Sequence, residues 1–158
     1  MKIRYTRQYN QVECGPVAVL NALKWVGGAW TYKKHIAFIK AYCEYDTISG
    51  THMRDVRRAL KHFVGKAVRS RVEPILHLDQ IKNHIAKGGA IILLYRTSPD
   101  SFHFSFVVEH HEKKGKLLWV NNTMQRPKIT VTPEELELII MSQSQFGDIS
   151  SGLFITKS

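Results

Sequence analysis

Cys14 is the residue of this chain best placed to act as a nucleophile. In Gln8-Tyr9-Asn10-Gln11-Val12-Glu13-Cys14-Gly15-Pro16-Val17-Ala18 it stands at the start of an apolar run. Residues 17–26 offer scarcely a polar face, and Gly27-Gly28 reads as a C-terminal stop. A buried helix is expected there, with the thiol at its N-terminal entrance. Unpaired backbone N–H groups and the positive end of the helix dipole lower a thiol pKa at such a position, and the same N–H groups can receive an oxyanion. Gly15 lets the backbone approach a substrate, and Pro16 suits the first helical turn, where its missing N–H costs nothing.

A nucleophilic thiol needs a base. Ser101-Phe102-His103-Phe104-Ser105-Phe106-Val107-Val108 reads as a core strand with one imidazole near its start, which makes His103 the base candidate. The turn signal Glu112-Lys113-Lys114-Gly115 leads into a second strand, Lys116-Leu117-Leu118-Trp119-Val120, that ends in Asn121-Asn122. An amide at that point can hold an imidazole in one orientation and tautomer. Gln8, upstream of Cys14, can add a side-chain N–H to an oxyanion site. Taken singly, each residue has an ordinary structural reading: a small buried cysteine, a satisfied core histidine, a loop glutamine and turn-forming asparagines. The combination in this order carries the assignment.

Glutamine, cysteine, late histidine, then an amide on the next strand is the order of papain-like cysteine peptidases. Within that group the chain resembles the bacteriocin-processing C39 peptidases and their stand-alone C39-like relatives. Gln8 with Cys14-Gly15-Pro16 and Ala18, Gly50-Thr51 before a helix, His103-Phe104 on a strand and the following hairpin carry the resemblance through most of the chain. The family usually places an aspartate, often followed by proline, where this chain has Asn121-Asn122. The interval from His103 is roughly two residues longer than usual, and an even insertion keeps side chains on the same face of a ladder, which favours Asn121 over Asn122. The resemblance implies a papain-like α+β fold and cysteine-peptidase chemistry with no cofactor: His103 takes the Cys14 proton, and Gln8 with the Cys14 N–H holds the oxyanion. It also implies a peptide substrate with small residues at the cleavage site, since transporter-fused members cut leader peptides after a double glycine. Two alternatives share these residues. One is an inactive C39-like module that binds a peptide or acidic partner, and the other is a related thiol amidase or deamidase.

Length and composition fit one domain spanning residues 1–158, because 158 residues with 44% hydrophobic content can bury one sizeable core. The polar, basic N-terminus lacks an apolar signal core and no run reaches membrane-spanning length, so a cytoplasmic protein without a membrane segment is expected. Two cysteines, Cys14 and Cys43, are too few for a disulfide framework. No metal site is expected either. His110-His111 is read as adjacent on a strand, which would send the two rings to opposite faces.

The formal charge of +10 and a pI near 9.8 are not explained by peptidase chemistry. Arg54, Arg57, Arg58 and Lys61 make a stripe on a predicted helix, and Lys66, Arg69 and Arg71 follow. A solvated helix face is the usual account of such a stripe, while an acidic substrate or partner would also suit it. Nucleic acid is not expected, because no reader module or aromatic stacking motif accompanies the charge.

The elements that must position the site read as alternating units without repeats. Residues 31–42 are a predicted helix with Ile36, Phe38, Ile39 and Tyr42 inward and Cys43 in the same packing. Gly50-Thr51 is the expected N-cap of a helix reaching about residue 63, with Met53, Val56, Leu60 and Phe63 on one face. Strands are expected at 66–72, 90–95, 128–131 and 152–156 in addition to the hairpin, with helices at 78–87 and after Thr132-Pro133. Helices first and antiparallel strands afterwards make an α+β domain, with the cysteine helix packed on the sheet.

Overall fold

The computed structural model describes residues 2–45, 50–98, 101–121, 123, 125–142 and 150–158. Among these residues five α-helices and six strands follow the expected order. Helix α1 is Cys14–Val26, α2 Tyr32–Tyr42, α3 Met53–Val64, α4 Leu78–Ala86 and α5 Pro133–Ser142. Strand β1 is Val68–Pro74, β2 Ala90–Ser98, β3 Ser101–Glu109, β4 Leu117–Val120, β5 Lys128–Val131 and β6 Ser151–Lys157. The strands form one antiparallel sheet in the order β1-β6-β2-β3-β4-β5.

Strand alternation divides the core into two layers. Phe104, Phe106 and Val108 of β3 face α1, α2 and α3, together with Ile92, Leu118, Val120, Leu153 and Ile155. Val107 of β3 faces α4 and α5 on the opposite side, with Ile91, Leu93, Tyr95, Trp119 and Phe154. The domain is therefore α+β, with the cysteine helix on the sheet as expected and the two later helices covering the other face. Helix α1 is hydrophobic around almost its whole circumference because α2, α3 and the sheet enclose it: Val17, Ala18, Val19, Leu20, Ala22 and Leu23 have no exposed surface. Each large aliphatic side chain buried this way is worth about 1.5–3 kcal/mol. The helix ends where the chain reverses at Gly27, whose φ of 128° is open to glycine and whose N–H donates to the Leu23 carbonyl.

Three local expectations differ from the structure. In α2 only Ile36 and Ile39 are buried; Phe38 is exposed and Tyr42 stacks on His62 of α3 at the surface, since α2 covers α1 with a narrow stripe rather than a wide face. The N-cap of α3 is His52, not Gly50-Thr51, and Thr51 packs against Gly15 instead. His110 and His111 lie beyond the end of β3, so strand alternation does not govern them and their rings stack, 5.0 Å between centroids. The His110 Nδ1 accepts the N–H groups of Glu112 and Lys113 and closes the turn toward β4. Among the described residues no cluster of histidine, cysteine, aspartate or glutamate could hold a metal, and no helix is long and apolar enough to cross a membrane.

Candidate active site

The site forms where β4 stops short of the end of β3. Pairing between the two strands runs from Glu109↔Leu117 to Phe106↔Val120, so His103 and Phe104 lie past the ladder with β4. Asn121 turns the chain away in the left-handed region, φ 57°, a conformation asparagine tolerates better than most residues. Helix α1 packs on β3 and brings its first residue, Cys14, to this end of the strand.

The Cys14 thiol is buried and is faced by the backbone N–H groups of Phe104, Gly15 and Cys14 itself. Burial is the largest influence on the thiol and pushes its pKa above the usual value, assisted by the neighbouring Glu13 charge, while the three N–H groups pull it down. A helix N-terminus alone argues for a lowered thiol pKa. The difference arises because Cys14 is packed into the core shared by α1, α2, α3 and the sheet, so desolvation of the charged form outweighs the donors. Close packing also explains Gly15: a Cβ there would lie 2.9 Å from the Thr51 Cβ, so only glycine allows α1 to start against the segment leading into α3.

His103 is half-buried, and its Nε2 lies 2.7 Å from the carbonyl oxygen of Asn121. A carbonyl only accepts, so Nε2 carries the proton and Nδ1 holds the lone pair in the neutral ring. Burial lowers the His103 pKa, and the Asn121 carbonyl opposes that shift in part. Tyr95, opposite His103 in the β2–β3 register, sets its ring edge-to-face against the imidazole at 5.6 Å between centroids.

Asn121 has no exposed surface and all its polar groups are engaged. Its N–H donates to the Pro127 carbonyl and its carbonyl receives His103 Nε2. Its side chain pairs with Gln8 twice: the Gln8 backbone N–H donates to Oδ1 at 2.8 Å, and Nδ2 donates to Gln8 Oε1 at 2.8 Å. Asn121 thus meets the imidazole through its main chain, whereas the sequence suggested its carboxamide. Asn122 lies outside the described residues.

Gln8 is buried beside this pair, and its Nε2 donates one hydrogen to the Asn10 carbonyl at 2.9 Å. Two anchors hold the segment that carries it. Asn21 of α1 exchanges hydrogen bonds with the backbone of Thr6, 2.8 Å and 2.9 Å. The carboxylate of Glu13, without exposed surface, accepts the Tyr9 N–H, the Tyr32 hydroxyl at 2.8 Å and Lys40 Nζ at 3.0 Å. Burial raises the Glu13 pKa, but those three donors outweigh it and hold the carboxyl below its usual value. The sequence reading passed over Glu13, Tyr95 and the Phe104 N–H. Only Glu13 left a trace, as a charged residue directly before an apolar helix; its partners on α2 could not be read from spacing.

Cys43 is fully buried, and burial pushes its thiol up to about 12. It belongs to the core packing of α2 and α3, as expected.

Among solved structures, the chain is similar to the peptidase domain of Streptococcus ComA, a bifunctional ABC transporter involved in quorum sensing. That likeness has a TM-score of 0.69 at 13% identity and covers 98% of this chain and 100% of that one. It is also similar to a double-glycine-motif protease from an AMS/PCAT transporter, solved with its leader peptide, at a TM-score of 0.61 and 14% identity over 99% of this chain and 93% of that one. The chain has the fold of the C39 peptidase domains. No family model matches its sequence, and no curated protein does. The C39-type fold nevertheless extends over nearly all 158 residues, from the segment before α1 to β6.

Proposed function

We propose that this protein is a cysteine peptidase with Cys14 as nucleophile and His103 as general base. The observation that carries the reading is the His103 Nε2 to Asn121 carbonyl bond, which leaves the Nδ1 lone pair for a thiol held against the next residue's N–H. With the thiol raised and the imidazole lowered, the resting pair is neutral and proton transfer accompanies attack. Sγ bonds to the substrate carbonyl carbon, the thiol proton passes to Nδ1, and the carbonyl oxygen becomes an oxyanion held by the Cys14 N–H and the Gln8 carboxamide. The C–N bond then breaks as the imidazolium returns the proton to the leaving amine. Water, deprotonated by His103, adds to the thioester, and the thiol leaves with that proton.

A peptide with small residues at the scissile bond is the substrate class this reading favours, supported by the leader-peptide complex of the double-glycine protease of similar fold. A cytoplasmic setting, which keeps thiols reduced, suits the chemistry. The enclosed, raised thiol favours a second reading, a binding module of the same fold that does not turn over. Incubation with a peptide containing a Gly-Gly site, followed by intact mass and product analysis, separates them. Cleavage after the second glycine, lost in Cys14→Ala and His103→Ala, is the expected result. Binding of the peptide without product or a Cys14 adduct would instead favour the module.

A further inference from the structure

We infer that the Asn121 carboxamide is a positioning residue for Gln8, fixing which end of the glutamine amide faces the oxyanion site. The inference rests on the peptidase reading above and assigns Asn121 a different task from holding the imidazole. The polarity of the pair follows from one obligate donor. The Gln8 backbone N–H can only donate, so the Asn121 atom 2.8 Å from it is the oxygen, Oδ1. The other terminal atom is then Nδ2, which donates, and the Gln8 atom facing it 2.8 Å away is Oε1. Gln8 Nε2 is the other terminal atom of that amide: one hydrogen meets the Asn10 carbonyl, and the second is, on the peptidase reading, the one offered to a substrate oxyanion. The imidazole needs none of this, because its partner is the Asn121 main chain.

Asparagine is therefore required here for its amide donor. In Asn121→Asp the carboxylate still accepts the Gln8 N–H, but its second oxygen confronts Oε1. The glutamine amide must rotate, giving Nε2 to the carboxylate and turning its negative end toward the Asn10 carbonyl and the oxyanion site. Aspartate, the residue the C39 resemblance leads one to expect near this position, is predicted to be harmful in this chain. Alanine is a poorer probe, since φ of 57° strains it, whereas glycine keeps the backbone and removes only the side chain.

The test contrasts two reactions of Cys14. Acylation by acetyl-glycyl-glycine p-nitrophenyl ester forms the Sγ–carbonyl bond through an oxyanion, breaks the aryl ester C–O bond and releases p-nitrophenolate, with the thiol proton passing to His103. Alkylation by iodoacetamide displaces iodide at a saturated carbon and makes no oxyanion. In Asn121→Asp and Asn121→Gly, acylation is expected to slow by about 100-fold, the lower end of the loss for one oxyanion donor. Alkylation and its pH profile are expected to stay within about twofold, because the Asn121 carbonyl still sets the tautomer. Gln8→Ala should slow acylation similarly, and Gln8→Ala with Asn121→Asp should be no slower than Gln8→Ala alone. Wild-type acylation rates in Asn121→Asp overturn the inference while leaving the peptidase reading intact, as does a matching shift of the alkylation pH profile. A wild-type chain whose Cys14 is not acylated overturns both.

Discussion

His103 Nε2 donates to the main-chain carbonyl of Asn121, 2.7 Å away, so the tautomer of the candidate base is set by the backbone of a turn. On the proposed mechanism Nδ1 supplies the lone pair for Cys14, and His103→Ala should then slow iodoacetamide alkylation of Cys14 by about 10-fold or more near pH 7. The deficit should close as the pH climbs past the thiol's own raised pKa, where the thiolate forms without help. Rates measured from pH 6 to 10 check this. Parallel profiles for wild type and variant would assign activation of the thiol to another group.

The two thiols differ in surroundings rather than in burial. Cys14 is faced by three backbone N–H groups at the end of β3, while Cys43 sits between α2 and α3 with its thiol pushed up to about 12. In the folded protein Cys14 should be the residue modified by a peptide chloromethylketone, with Cys43 modified only on denaturation. Peptide mass mapping after partial labelling reads the order directly, and equal labelling of Cys43 would remove the distinction.

What the sequence could convey about this site depended on the range of the interaction. The apolar run after Cys14, the alternation around His103 and the turn residues beyond Val120 are local patterns, and they located α1, β3 and the end of β4. Parity of alternation favoured Asn121 for its carboxamide, but Asn121 lies past the end of β4 at φ 57° and meets His103 through its carbonyl instead. The pairing of Asn121 with Gln8 joins residues 113 positions apart, and no periodicity records it. Nor did the pattern show that burial of Cys14 would outweigh its helix N-terminus, because that balance depends on how α1 is packed into the core it shares with α2, α3 and the sheet. Phe38 failed for a related reason: an apolar residue at helical spacing is inward only if a partner covers that face, and α2 stands at the edge.

Buried His84 and half-buried His103 are expected to make the fold acid-sensitive. His84 Nε2 is shared between the carbonyls of Ala90 and Ile155, at 3.1 Å and 2.9 Å, and burial lowers its pKa; burial lowers that of His103 as well. The unfolded chain takes up protons near 6.5, the ordinary value, while the folded chain resists until lower pH. Protonation therefore favours the unfolded state: stability should be complete above pH 6.5 and fall as the pH drops through the window beneath it. Thermal melts at pH 7.5, 6.5, 5.5 and 5.0 should show the decline, and His103→Gln should flatten it in part. A melting temperature unchanged down to pH 5 would contradict the sign.

The basic stripe of α3 divides into cations tied into the fold and exposed ones, of which Arg54 lies 3.9 Å from the Asp55 carboxylate. Arg58 Nη2 lies 3.2 Å from the buried carboxylate of Asp55 and 3.1 Å from Glu44, and it also donates to the Tyr42 carbonyl. Arg57 donates to the Ser70 carbonyl at 2.9 Å and ties α3 to β1. Neutralising all four cations would thus confound charge with folding. Arg58→Gln alone should cost about 1 kcal/mol, because it leaves the buried Asp55 carboxylate only the more distant, exposed Arg54 at 3.9 Å, while Arg58 itself is half exposed. Arg54→Gln with Lys61→Gln should change stability by no more than about 0.5 kcal/mol, as expected for exposed sites. That double variant isolates recruitment. If the stripe binds acidic segments, fluorescent hexaglutamate should bind wild type at low salt, weaken as salt rises and bind the double variant less well, with hydrolysis of a short neutral peptide unchanged. Equal binding of hexaglutamate by both proteins at low salt would make Arg54 and Lys61 an ordinary solvated face.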